Sequence, residues 1–261
     1  MWRVLGAAVT GTSHRATGKG CEDAFGWLDV GDTTCLVVAD GAGSRPYSAQ
    51  GSAAAVAAVL DSVRQSGGRE QPTITALFQA ALDAIESASS AHGHGPDDYA
   101  TTLAVALLSP NGTRIGQIGD GVTVAKLASG DLCAISPQAR FEYANETLFL
   151  TSDGAIGEIR ESSFGPSEVL ALALSTDGLR YKILSDLTTG EPFGPFFEDI
   201  FKFTASTEST SAEIEAFIDA LEDQAGDDKT LVVAVPHPPS IPVPAAGPQV
   251  RPRGRHLDVT L

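Results

Sequence analysis

Positive charge is scarce in this sequence: 17 Lys and Arg stand against 33 Asp and Glu, a formal net charge of −16. A nucleic-acid surface or an anionic-membrane patch needs clustered basic residues, so neither partner is expected. Cysteine is scarce too. Cys21, Cys35 and Cys133 are far apart, odd in number and form no C-x-x-C pair. That argues against a disulfide framework or a zinc site and for a reducing interior. No run of about 20 apolar residues is present to span a bilayer. The start of the chain, Met1-Trp2-Arg3-Val4-Leu5-Gly6, lacks the long apolar centre of a signal peptide. A cytoplasmic location is therefore expected. Other site signatures are also missing: there is no Gly-x-Ser-x-Gly elbow or Cys-x5-Arg to supply a nucleophile, and no EF-hand loop to hold Ca²⁺.

Present instead is a chain of 261 residues, 43% hydrophobic, enough to bury a full core. Short runs rich in Val, Ile, Leu and Thr predict strands at 2–9, 34–39, 102–108, 113–118, 123–127, 146–150, 169–174 and 231–235. Helical periodicity marks 48–63 and 73–90, and Thr210 with Glu213 forms a capping-box pattern ahead of Ile214, Phe217, Ile218 and Leu221. The order lacks strict βαβ alternation, which favours an α+β sandwich with antiparallel sheets over a doubly wound parallel fold. Residues 1–235 read as one domain. Residues 236–261 form a Pro-rich tail with Arg251, Arg253 and Arg255, read as a flexible polyproline-like extension.

Acidic residues recur at the ends of the apolar runs. Glu22-Asp23 precedes Ala24-Phe25-Gly26-Trp27, Asp40-Gly41 follows Leu36–Ala39, and Asp120-Gly121 follows Ile115–Gly119. Asp177-Gly178 follows Leu170–Leu174, and Asp227-Asp228 opens Leu231–Val235. One Asp-Gly is ordinary turn chemistry. A repeated strand-then-acid arrangement says more, because strand ends meeting at one edge would gather carboxylates that repel one another unless cations compensate. Oxygen-only donors suit hard ions such as Mg²⁺ or Mn²⁺.

The stretches Gly20-Cys21-Glu22-Asp23, Val38-Ala39-Asp40-Gly41-Ala42-Gly43, Ala100-Thr101-Thr102-Leu103, Ile118-Gly119-Asp120-Gly121, Ser175-Thr176-Asp177-Gly178 and Asp227-Asp228-Lys229-Thr230, in that order and spacing, resemble the metal-dependent protein phosphatases of type 2C, in particular a compact bacterial branch. The resemblance implies a four-layer αββα sandwich, with two central antiparallel sheets flanked by helices. It implies hydrolysis of phosphoserine and phosphothreonine on proteins by a water bridged between two cations, Mn²⁺ or Mg²⁺, with a weaker third cation in some members. Asp40 matches the bridging acid, and the Gly41 carbonyl a further ligand. Asp177 and Asp227 match ligands of one cation, Glu22 a ligand of the second with Asp23 adjoining it, and Asp120 the acid of the third. Asp40, Asp177 and Asp227 would be the catalytic core. Phosphorylated proteins, a Ser/Thr kinase or its target among them, would be the partners.

Asp153-Gly154, after Leu148-Phe149-Leu150-Thr151-Ser152, competes for the place of Asp177; the longer run before Asp177 favours the latter. Two departures from the family stand out. Gly18 occupies the position of a phosphate-holding Arg, leaving Lys19 or Arg15 to substitute, and Ala42 stands where many members carry a general-acid His. These departures also allow a catalytically weak member that binds a phosphoprotein as a regulator. His92 and His94 read as loop residues, and Phe193, Phe196, Phe197, Ile200 and Phe201 as core.

Overall fold

The computed structural model describes residues 1–68, 71–135 and 147–237. Residues 69–70, 136–146 and 238–261 lie outside the described residues, so the reading of 236–261 as a flexible extension falls outside them apart from Pro236, which closes a strand, and His237.

Strand β3 (Thr33–Ala39) shows how sequence becomes architecture. Every one of its residues is buried, because both faces are covered. Cys35, Val37 and Ala39 face a helical layer, while Leu36 and Val38 face a second sheet. Together β2 (Ala24–Val30), β3, β4 (Leu103–Ser109), β5 (Gly112–Ile118) and β8 (Arg160–Phe164) form a sheet in the order β2-β3-β4-β5-β8. The second sheet runs β1-β12-β9-β6-β7, from β1 (Trp2–Val9), β12 (Lys229–Pro236), β9 (Val169–Ser175), β6 (Val122–Leu127) and β7 (Leu132–Ile135). All pairings in both sheets are antiparallel.

Period-two alternation sorts each inner strand between two cores. Leu172, Leu174, Val232 and Ala234 meet Leu36, Val38 and Ala106 between the sheets. Ala171, Ala173, Leu231 and Val233 turn outward onto α5 (Gly194–Ala205) and α6 (Ser211–Ala220). Helices α2 (Ser48–Ser66) and α3 (Ile74–Ala91) cover the other sheet through Val56, Val59, Leu77, Phe78 and Ile85. The result is the expected αββα sandwich. The capping box at α6 is present in full: Thr210 accepts from the Glu213 amide, and Glu213 accepts from the Thr210 amide. A short helix α1 (Thr12–Thr17) follows β1, and α4 (Arg180–Ile183) leads into a small hairpin of β10 (Leu184–Asp186) and β11 (Glu191–Pro192).

One expected strand is corrected. Residues 147–149 carry no regular structure and Leu150 enters a turn, while residue 146 lies outside the described residues. The alternation of Leu148 and Leu150 reflects burial against the α2–α3 layer rather than pairing. Strands β2, β7, β8, β10 and β11 and helix α5 are additions to the sequence-based expectation.

Candidate metal centre

Antiparallel register decides where the acids go. Ala24 pairs with Ala39, so the residues before β2 (Glu22 and Asp23) meet the residue after β3 (Asp40). Ser175 pairs with both Leu231 and Val122, so Asp177 after β9, Asp227 before β12 and Asp120 before β6 share one edge. The two sheets face each other, and these strand ends therefore form one acidic mouth.

Backbone contacts hold Asp40 without using its carboxylate. Its amide donates to Thr102 Oγ1 at 3.0 Å, and its carbonyl accepts from the Thr102 amide and the Thr101 hydroxyl, both at 2.8 Å. Gly41 bridges to Thr101 directly after it. Asp23 accepts from Thr176 and Thr230 hydroxyls at 2.8 and 2.7 Å on Oδ2. Gly178 is required by crowding: a Cβ there would sit 1.9 Å from the Asp228 carbonyl oxygen. Thr147 donates to Asp120 Oδ2 at 2.9 Å, and half-buried Arg160 supports the same turn by donating to the Gly119 carbonyl.

The electrostatics show mutual repulsion out of water. Burial first, then the charges of Asp23, Asp177, Asp227 and Asp120, hold the Asp40 carboxyl well above the ordinary carboxylate range. Burial, with Asp120 and Asp227 adding to it, lifts Asp177 to about 6 against the pull of Arg180. Asp23 is lifted to about 7, mainly by burial, although the two hydroxyls oppose the shift. Burial also raises Asp227. Glu22 Oε2, Asp23 Oδ1 and Asp177 Oδ1 are buried with no hydrogen-bond partner among the described residues. Buried carboxylate oxygens left open in this way cost free energy unless something cationic fills the space. Hard divalent cations fit this all-oxygen donor set.

Sequence reasoning missed two contributors. Asp228 is a fastener: Oδ1 accepts from the Gly11 amide at 2.7 Å, and Oδ2 from the Glu22 amide at 2.6 Å. His14, on α1, places Nδ1 3.0 Å from Asp228 Oδ1, though not aligned for a hydrogen bond, and Nε2 3.5 Å from Glu22 Oε2. Ligand atoms of His14, Asp227 and Asp228 lie within 4.8 Å of one another. Only the position of His14 eight residues before Glu22 connects the two in sequence, a spacing with no local meaning.

The basic residues divide. Lys19 reaches Glu22 Oε1 at 3.2 Å and the Gly43 carbonyl at 3.0 Å. Arg15 turns to Asp219 on α6 at 2.6 Å, both half-exposed. Gly18 ends α1 at φ 74°, a left-handed conformation that disfavours an arginine there and gives its absence a local cause. Ala42 is buried beside the cluster loop. Asp153 is exposed and lines a separate cleft with Leu82, Glu86 and Asp97. His94 stacks on Tyr47 with centroids 4.1 Å apart, and Tyr99 lies 3.2 Å from its Nδ1. Phe197, Ile200 and Phe201 are core, while Phe193 is exposed on an apolar groove between α5 and α6.

With this geometry in place, comparisons with known proteins become informative. Residues 10–219 match the family described as Protein phosphatase 2C. An Escherichia coli (strain K12) protein named Serine/threonine-protein phosphatase 3 is 30% identical over 251 residues, covering 90% of this chain and 98% of that one. Among solved structures, a bacterial serine phosphatase superposes with a TM-score of 0.63 at 15% identity, covering 90% of this chain and 98% of the other. The serine/threonine phosphatase Stp1 of Staphylococcus aureus gives 0.62 at 15% identity, with 91% and 96% covered. At these identities the structural matches speak for the fold. Among the described residues, no helix is long and apolar enough to cross a membrane.

Proposed function

The chain belongs to the protein phosphatase 2C family and hydrolyses phosphoserine and phosphothreonine on proteins; from that premise we propose that Glu22, Asp23, Asp40, Gly41, Asp120, Asp177 and Asp227 hold its divalent cations. The observation that carries this reading is the set of buried carboxylate oxygens without partners, gathered at one sheet edge. Cations held by these residues would supply Lewis-acid charge and a water of lowered pKa for attack on phosphorus.

Asp40 takes the central position, since Asp23, Asp177, Asp227 and Asp120 all raise its pKa. Asp177 and Asp227 serve one cation with it. Glu22, the Gly41 carbonyl and Asp23 serve the second, and Asp120 with Asp177 a weaker third. Mn²⁺ and Mg²⁺ both suit these donors. Asp228 orients Glu22 by fixing its amide, and Thr176 and Thr230 orient Asp23. Lys19, the cation beside Glu22, takes the phosphate-binding place left by Gly18. Arg15 is the weaker candidate, because its guanidinium is engaged by Asp219. The substrates are phosphorylated proteins, and a Ser/Thr kinase or its target is the partner we assign.

The test is phosphate release from a phosphothreonine peptide with Mn²⁺ or Mg²⁺ and with chelator, repeated in Asp40→Asn and Asp177→Asn. Release that chelator and both substitutions abolish supports the assignment. Full activity in Asp177→Asn with loss in Asp153→Asn would transfer the role to Asp153.

A further inference from the structure

Arg180 opens α4, three residues after Asp177. Its Nη1 lies 3.3 Å from Asp177 Oδ2, its Nη2 donates to the Tyr181 hydroxyl at 3.2 Å, and its Cζ stands 5.0 Å from the Tyr181 ring centroid. The side chain is 38% exposed. With Asp120, Val122, Leu184 and Leu187 it lines a cleft of about 270 Å³ that meets the acid cluster at Asp120.

Two other cations near the cluster, Arg160 and Arg15, are committed elsewhere, while Lys19 sits on its Glu22 side. Lys19 is tied to Glu22 and Gly43, Arg160 to the Gly119 carbonyl, and Arg15 to Asp219. Like Lys19, Arg180 has an acidic partner that is itself a proposed cation ligand, and unlike Lys19 it carries a planar fork. A divalent cation held by Asp177 would take up the same carboxylate, as the larger local charge. The guanidinium would then keep its contact to Tyr181 while its fork is released from Asp177. A phosphate monoester presents paired oxygens that match such a fork, which a lysine cannot match.

We propose that Arg180 is a phosphate-binding residue, gripping the substrate phosphoryl group from the Asp177 side of the cluster as Lys19 does from the Glu22 side. This rests on the cation assignment above. It supplies the planar cation that Gly18 denies to the usual loop.

The experiment uses the full chain with saturating Mg²⁺. Calorimetry measures inorganic phosphate binding, and steady-state kinetics on a phosphothreonine peptide separates KM from kcat, for wild type, Arg180→Ala and Arg180→Lys. Arg180→Ala should weaken phosphate binding and raise KM by about 10- to 100-fold, the scale of a charge-assisted bidentate pair. kcat should fall less, and Arg180→Lys should recover part of the loss. Wild-type phosphate affinity and KM in Arg180→Ala would overturn the proposal. So would a change confined to the Mg²⁺ requirement, which would make Arg180 only a counter-ion of Asp177. A wild-type chain that releases no phosphate under any cation would sink the cation assignment instead, and phosphate calorimetry would still decide the role of Arg180.

Discussion

Residues 151–154 spell Thr-Ser-Asp-Gly and residues 175–178 spell Ser-Thr-Asp-Gly, each after an apolar run. The chain treats them differently. Ser175 pairs with Leu231 on one side and Val122 on the other, so Asp177 is delivered to the shared edge of the sheets. Residues 147–149 pair with nothing regular, the chain turns at Leu150, and Asp153 ends exposed near Glu86. The near-identical tetrapeptides teach that the chemistry of an Asp-Gly is conferred by the strand that carries it.

The sharpest way to break this comparison is to exchange the acids for amides. Asp177→Asn should lower metal-dependent peptide dephosphorylation by at least about 100-fold, since even indirect partners of a metal cost 10- to 100-fold. Asp153→Asn should leave kcat/KM unchanged. Equal losses in the two would end the distinction.

Crowding gives the next largest effect. Gly178→Ala must push a methyl group into the Asp228 backbone, which should destabilise by about 3 kcal/mol or more, the upper range for overpacking. Urea denaturation measures it, and a loss under about 1 kcal/mol would show that the edge is looser than drawn.

Acidity sharpens the contrast further. Asp23 at about 7 and Asp177 at about 6 both lie above their ordinary value of 3.8. In cation-free protein their contribution to stability is complete below about pH 4 and is lost as pH rises through 6 and 7. With chelator, the melting temperature should therefore fall between pH 5 and 8, and Mg²⁺ should restore it. Asp177→Asn should flatten part of that slope. A melting temperature that rises over this range would contradict the buried, uncompensated cluster.

The smallest effect concerns the residue before each acid. Thr176 donates to Asp23 and accepts from the Thr230 amide at 3.0 Å, so Thr176→Val should cost about 1–3 kcal/mol through buried unsatisfied groups. The Ser152 hydroxyl accepts from the Phe149 amide at 3.1 Å, and Ser152→Ala should cost about 1 kcal/mol or less. Chemical denaturation of the two side by side checks the order.

Legibility followed burial. Strands β1, β3, β9 and β12 are visible in sequence because they carry continuous or alternating apolar residues with both or one face covered. The edge strand Arg160–Phe164 is polar at Arg160, Glu161, Ser162 and Ser163 and takes its structure from pairing with β5, so it has no apolar signature. Helix α5 hides behind aromatic residues of modest helix propensity: Phe197 and Phe201 announce a core without announcing its backbone. Leu148 and Leu150 show the reverse error, alternation that comes from burial alone. In the site, the acids stand out by their place after or before strands. Asp228 and His14 do not, because their roles are contacts to Gly11, Glu22 and Asp227, distant or unmarked in sequence.

Hydrophobic periodicity, a local property, marked most of the inner strands, helices α2 and α3 and the acids at strand ends, while the αββα layering was implied by the family resemblance of the motifs. Strand pairing is not local: the Asp228 carboxylate meets the Glu22 amide across 206 residues. That long-range register carried Asp177 to the acidic edge and left Asp153 away from it, turned Asp228 into a fastener and sent Arg15 outward. A side chain's charge is written in its own residue, but its partners, and therefore its chemistry, are set by whatever the folded chain brings within a few ångströms.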